Sequence, residues 1–508
     1  MKNYQFEKVI GQIFNFLAAA MFLVLFHYCL ELTGRNTSLL DEHIYFSQGS
    51  ILLHIFELLC SVLALYFIGK LSKIFQAKKR RNILLVFCCV ISAVISIYWV
   101  CNSKTAPQGD QAIIVRFADE FNNHSFYGIQ RGGYVAMYPH LLGIITFLRL
   151  LFKLFGAGNY FAFQLFQALL VPVIVFAGCM ILRELFDDAK TELFYLLLAM
   201  TCFPMYAYTD FVYGDFVSIP FALLAVWAFL SCIKKFKVWK LAGLGLSAGA
   251  AVVLRSNILI LVIAMLIVVI VKWLAGRNWR MLTIGGTLIA GVLLFHVSLK
   301  GLYASEWGED ADAIPALCYI AMGLNDDNSY AGWYNIYEIG LFVTSNHEVD
   351  VANARAIETL KMYGNIYRND PEYMMDFFTR KINSQWNAPM YQGVVMNNNV
   401  VGEQGRLIAN IYEGGKAAKI LEKYAKAYQL LVYGSILFLL ISKRKEWQEI
   451  EKYVLLIAVF GGFLFSLIWE AKTRYVFPYL LMELPYVALG INEMVIRLHN
   501  KVAKRRRE

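Results

Sequence analysis

Residues 138–156, YPHLLGIITFLRLLFKLFG, are apolar and long enough to cross a bilayer, yet they carry Arg149 and Lys153. Counting this stretch as a span inverts the sidedness of everything that follows it. About 20 apolar residues of helix cross a bilayer core. Twelve other stretches meet that length, near 14–34, 50–69, 83–101, 160–182, 190–208, 216–233, 240–255, 257–274, 281–301, 427–442, 453–470 and 474–495. The basic runs between them decide the matter, because short loops rich in Lys and Arg stay cytoplasmic. If 138–156 does not cross, the runs at 70–81 (KLSKIFQAKKRR), 234–240 (KKFKVWK), 272–280 (KWLAGRNWR), 442–445 (SKRK) and 501–507 all fall inside. If it crosses, the last four land outside. The stretch therefore reads as an interfacial or partly embedded helix.

The chain has 508 residues, of which 59% are hydrophobic and 17% charged, more apolar surface than one soluble core can hide. This describes an all-α polytopic membrane protein of about twelve spans. The net charge of +10 sits in short blocks between apolar runs, where the positive-inside bias puts it, which argues against a nucleic-acid partner. Nine cysteines occur singly or as the pair Cys88 and Cys89, mostly inside apolar runs, so neither a disulfide framework nor a CxxC metal site is expected. The first span follows Lys2 and Lys8, runs roughly from Phe14 to Leu32 and reads as a retained anchor.

With both termini inside, several polar elements share the outer face. They are the loop 102–158, the turn TDFVYGDF (209–216), Arg255, a segment 303–426, and the end of WEAKTRYVFP (469–478). The chain then divides into a transmembrane module (1–302), an α-rich extracytoplasmic insert (303–426) and C-terminal spans with a basic tail (427–508). In the insert, VANARAIETLKMYGNIY and PEYMMDFFTRKINSQW carry helical patterns, while GLNDDNSYAGWYN is turn-rich. Lys416, Lys419, Lys423 and Lys426 have the spacing of an amphipathic helix on anionic lipid. Asn36 and Asn123 begin N-x-S sequons on the outer side.

Candidate chemistry collects on that face. Asp110, in PQGDQAIIVRFADEF, is either a helix cap or an acid poised at the membrane surface. Asp210 and Asp215 lie in a turn so short that both stay near lipid, and Gly214 beside them suggests a close backbone approach. Glu470 and Arg474 have the i, i+4 spacing of a helix-supporting pair, while Arg474, with Tyr475 beside it, could equally present a planar fork to a phosphate. Arg255 is a second cation at that level, and either arginine could snorkel without function. Lys381 and Trp386 pair a cation with an aromatic platform, though a Trp often only packs. His140 and His347 are isolated, which argues against a histidine metal site. No GxGxxG or GxxxxGK[ST] motif occurs, and the GxSxG match at 245–249 lies inside an apolar run and not at a strand-to-helix turn.

The segments GGYVAMYPHLLG, LFKLFGAGN, RELFDDA, YTDFVYGD and TRYVFP, in this order, resemble the multi-spanning glycosyltransferases of the GT-C superfamily. The nearest likeness is to the bacterial family 39 type, related to protein mannosyltransferases and aminoarabinose transferases. The resemblance implies an inverting enzyme that moves a sugar from a polyprenyl-phosphate donor to a cell-envelope glycan, glycolipid or protein on the extracytoplasmic face. It implies Asp110 as catalytic acid-base, with Asp210 or Asp215 as the second acid. Arg474 would lie on the donor phosphate, joined by Arg255, Lys381 and Tyr475, with Gln111, Glu470, Trp386 and His140 as substrate contacts. Where protein mannosyltransferases carry Asp-Glu, this chain has Asp110 and Gln111. That departure leaves a divalent metal open as the sole candidate cofactor and puts protein acceptors in doubt. A transporter or flippase, which usually shows internal repeats and midplane charges, and a polysaccharide polymerase are the competing readings.

Overall fold

In hydrocarbon an unpaired peptide group costs several kcal/mol, so apolar runs close their hydrogen bonds within themselves as helices. The computed structural model describes residues 2–35, 42, 44–326, 330–443 and 447–505. The described residues are helical apart from one antiparallel strand pair, Leu32–Arg35 with Tyr45–Gln48, and a bridge between Thr105 and Val400. Among the described residues ten helices are long and apolar enough to cross a membrane, from Gln5–Glu31 to Phe477–Lys501. Their apolar residues face outward as well as inward. Leu52 is 81% exposed and Phe56 63%, which only a lipid surround would tolerate along a whole helix.

Two of the twelve expected spans are built from shorter helices. The region 190–208 is broken, because Ala189–Thr201 ends at Cys202 and Phe203–Ala207 restarts with Pro204 in its first turn. A proline has no N–H to continue the ladder and clashes with the preceding turn. The region 240–255 forms Val238–Leu254, a helix of 17 residues. At 1.5 Å per residue it reaches about 26 Å, less than a bilayer core of about 30 Å.

The ambiguous stretch 138–156 is helical from Pro139 to Phe155 and turns sharply away from the segment before it. Tyr127–Met137 and Pro139–Phe155 meet at 102°. The break is at Tyr138, whose φ of −121° and ψ of 60° are forced out of the helical region by the proline that follows.

The insert contributes Ala316–Gly323, Tyr337–Thr344, Val349–Asn369, Pro371–Trp386 and Arg406–Tyr412. Both helical patterns expected from its sequence form helices, Val349–Asn369 and Pro371–Trp386. It has a small core of its own around Cys318, Phe342 and Ala352. The expected boundary at 426 falls inside one continuous helix, Lys416–Lys443. Lys426 is buried there, donating to the Leu32 carbonyl at 2.6 Å, and so does not lie on a lipid surface. Asn36 lies outside the described residues.

Candidate active site

The helix Lys78–Ser103 ends in the loop that carries Gly109, whose φ of 52° and ψ of −127° suit only glycine, and that turn starts the helix Asp110–Asn122. Gly109, not Asp110, is therefore the cap residue, and no side chain caps this helix. The Asp110 carboxylate turns away from its own helix. It accepts a hydrogen bond from Tyr134 Oη at 3.2 Å and faces Arg474 Nη2 at 3.4 Å. Protein surrounds it, yet 41% of its side chain remains open to a cleft of roughly 900 Å³ at this end of the bundle. Burial alone would raise its pKa. Arg474 and Lys472, with the bond from Tyr134, outweigh that and hold Asp110 below the usual carboxylate range.

Gly214 opens the helix Gly214–Lys234, and a Cβ there would stand 2.1 Å from the Leu254 carbonyl. The close approach suggested by sequence is thus present. It brings Asp215 against Arg255 at 3.1 Å, both buried. Arg255 lines the cleft with Asp215 behind it. The guanidinium carbons of Arg255 and Arg474 lie 5.4 and 5.3 Å from the Tyr213 ring, and each lies 5.2 Å from the Tyr475 ring. Two aromatic rings thereby hold two cations beside each other. Arg474 is buried, and its Nε has no partner among the described residues.

The expected Glu470/Arg474 helix pair does not form, because the span ends at Ile468 and residues 469–472 are irregular. Glu470 instead accepts from Tyr475 Oη at 2.8 Å and faces Lys472 at 3.8 Å, while Lys472 also meets Glu42 at 3.3 Å. Gln111 is a clamp. Its amide donates to the Met396 carbonyl at 2.8 Å, and its oxygen accepts from the Val212 N–H at 2.8 Å. A glutamate could accept but not donate, so a Gln at this position ties the insert to the Asp215 turn. His140 opens onto the cleft; the enclosing walls, with Arg255 and Arg474, push its imidazole down to about 3 and keep it neutral.

Three other expected site residues lie elsewhere. Asp210 is 1% exposed and turned away from the cleft, near Ser103 and Trp99, neither of which makes a well-formed bond to it. Burial pushes its carboxyl up to about 7. Lys381 is fully buried, with its ammonium on the carbonyls of Gly323 and Trp469. Those bonds lock the insert to the helix Val454–Ile468 rather than meet a phosphate. Trp386 is 1% exposed, lies nearly parallel to Tyr479 and donates to Ser466 Oγ at 3.0 Å. It packs the core and offers no platform.

Sequence reasoning missed Tyr134, Tyr138, Tyr213 and Glu338, all of which but Glu338 lie inside stretches it had singled out. Tyr134 and Tyr138 stand only four residues apart, but the break at Tyr138 means that helical periodicity does not bring them together. Glu338, in the insert, has no local signal. As for a metal, no three His, Cys, Asp or Glu side chains converge among the described residues, and Asp110 and Asp215 each face an arginine. These donors do not fit a divalent-metal site.

Residues 141–299 match the family model described as dolichyl-phosphate-mannose-protein mannosyltransferase. The matched region holds Asp215 and Arg255 and stops short of Asp110 and Arg474. No curated protein matches the chain. Among solved structures, the Archaeoglobus fulgidus oligosaccharyltransferase in complex with Zn and sulfate is 13% identical with a TM-score of 0.45, covering 82% of this chain and 50% of that one. The chain thus spans half the length of that enzyme. ArnT from Cupriavidus metallidurans bound to undecaprenyl phosphate is 12% identical with a TM-score of 0.33, covering 82% and 78%. By motif order and by family model alike, the chain resembles the GT-C glycosyltransferases.

Proposed function

We propose that the cleft transfers a sugar from a polyprenyl-phosphate donor to a hydroxyl of a cell-envelope acceptor, on the extracytoplasmic face. The observation that carries this reading is the placement of Asp110 beside Arg474, with Arg255 next to it, in one cleft where a helix bundle meets its insert. The matched family is named for a dolichyl-phosphate-mannose donor, a member of the same donor class. Sidedness follows from the basic runs, which would keep both termini in the cytoplasm.

The donor's tail lies among the helices and its phosphate meets Arg474 and Arg255, whose planar forks suit phosphate oxygens. Arrival of the phosphate draws Arg474 off Asp110. The carboxylate, relieved of a neighbouring cation, becomes a stronger base. Asp110 takes the proton of the acceptor hydroxyl as its oxygen attacks the anomeric carbon from the face opposite the phosphate. The new C–O bond forms with inversion while the bond to the phosphate oxygen breaks, and the departing polyprenyl phosphate keeps the electron pair. Two guanidinium groups oppose its growing charge. A positioned base contributes typically 10²- to 10⁴-fold. Asp215 acts on Arg255 by holding it, and no step runs through a metal.

The test is incorporation of label from radiolabelled polyprenyl-phosphate sugars in membranes, wild type against Asp110→Asn at matched expression. Transfer that is present in wild type and lost in the variant supports the reading. A variant that transfers at the wild-type rate refutes the base, and a wild type inert with every donor tried shifts the weight to transport or polymerisation.

A further inference from the structure

One wall of the cleft, built partly from the insert, is unlike the arginine wall. Tyr319 lies on Trp469 with ring centres 4.9 Å and planes 12° apart, and Tyr138 meets Tyr134 at 4.9 Å. Among these rings stands Glu338, 1% exposed. Tyr138 Oη donates to its Oε1 at 3.2 Å, while Oε2 has no partner among the described residues although the residue lines the cleft. Glu338 enters at the first turn of Tyr337–Thr344, directly after Ile336, whose φ of 58° is unusual for a β-branched residue.

The titratable groups facing Glu338 are Tyr138, Tyr319, Tyr334, Cys318 and Glu470, none of them a cation at neutral pH. Burial, reinforced by Glu470, pushes its carboxyl up to about 7. A good part of the population therefore carries a proton at neutral pH and can donate as well as accept. Like-signed Glu470 makes this wall unwelcoming to a second anion. Flat aromatic faces and one unsatisfied carboxyl suit a neutral, polyhydroxylated ring.

We infer that Glu338, with the cleft-lining rings of Tyr138 and Tyr319, forms a subsite for a pyranose ring, the free Glu338 oxygen bonding a ring hydroxyl. The inference rests on the transferase reading of the cleft. It adds a specificity-determining residue on the insert, linked to the base by the series Asp110, Tyr134, Tyr138, Glu338.

The experiment uses the full chain in nanodiscs, with tryptophan fluorescence titrated by undecaprenyl phosphate and by its mannose, glucose and galactose esters. Methyl mannoside is titrated separately, in the presence of undecaprenyl phosphate. Wild type is expected to bind at least one ester roughly tenfold more tightly than the bare lipid phosphate, the scale of one hydrogen bond to a buried group. Glu338→Leu should erase that difference without changing affinity for undecaprenyl phosphate. In wild type the preference should fade above pH 7, as the carboxyl ionises, and Glu338→Gln should remove this pH dependence. If Glu338→Leu spares the esters but weakens methyl mannoside, the subsite holds the acceptor ring instead of the donor's. Should the leucine variant misfold, the pH profile of Glu338→Gln decides alone. No sugar-dependent binding in wild type, or an unaltered preference in both variants, overturns the proposal. Transfer measured on the same preparation reads the other question: sugar-dependent binding without transfer refutes the transferase and leaves the subsite standing.

Discussion

Two buried charge clusters sit at opposite ends of the bundle and are built differently. At the basic-loop end, Glu192 receives Arg81 Nε at 2.6 Å and Arg183 Nε and Nη2 at 3.0 and 2.5 Å, and Asp187 takes the remaining reach of Arg81 at 2.8 Å. At the cleft end, one contact of 3.4 Å joins Arg474 to Asp110, and Nε of Arg474 and one Asp215 oxygen are left over. The helix Lys78–Ser103, about 39 Å long, runs between them, with Arg81 in its first turn and Asp110 in the segment beyond its end. A buried charge without full pairing is costly, so a closed network needs no further reason than holding helices together. An open one points to something else that completes it. The motif RELFDDA belongs to the closed end, and so marks the fold rather than the chemistry.

The contrast can be broken by mutation, beginning with the largest effect. Asp110→Asn should lower transfer at least 10²-fold, yet its loss should move thermal stability in detergent by less than about 1 kcal/mol, as for a half-exposed pair. Equal loss of stability and activity would erase the distinction. Glu192→Gln should do the reverse, destabilising by about 3–5 kcal/mol because two arginines lose their carboxylate, while the folded fraction keeps its kcat. A thermal-shift series with activity measured at low temperature checks it.

Gln111→Glu restores the Asp-Glu pair of protein mannosyltransferases. It should cost about 1–3 kcal/mol, since the Met396 carbonyl loses its donor, and should bring no metal stimulation. A stable variant that gains activity with Mg²⁺ or Mn²⁺ would show that the clamp is dispensable. Arg474→Lys should raise the donor KM roughly tenfold through loss of the planar fork, with acceptor KM unchanged.

The smallest effect is on pH dependence. A base whose pKa is depressed stays ionised through mildly acid solution, so the acid limb of kcat/KM should lie below the ordinary carboxylate range. The stability that Asp110 adds is likewise present above its unfolded pKa and lost as pH falls through the folded value. Lys472→Met removes a cation that lowers this pKa, so the limb should move to higher pH. A limb that does not move would show that Lys472 is screened by Glu42 and Glu470.

Much of this was readable from composition. Gly214 signalled its close approach, and the patterns at 351–367 and 371–386 their helices. Other positions could not be read. WEAKTR looks helical because its spacing allows a Glu/Arg pair, but the span stops at Ile468 and the carboxylate takes Tyr475 instead. Lys381 and Trp386 sit on one amphipathic helix, and nothing in a pattern of polar and apolar residues says which side meets a cleft and which meets another helix.

By itself the sequence determined the helices, the run of basic loops and the grouping of Asp110, Asp215, Arg255 and Arg474 at one end. Each follows from a local quantity: a length of apolar residues, a backbone that must satisfy itself in hydrocarbon, a count of charges in a loop. Only the tertiary structure decided that Asp215 and not Asp210 stands behind Arg255, that Lys381 is a lock, and that Glu338 reaches the same cleft as Asp110. Those choices depend on side-chain directions across 40 to 364 residues of intervening chain, where the packing of whole helices sets which group points inward.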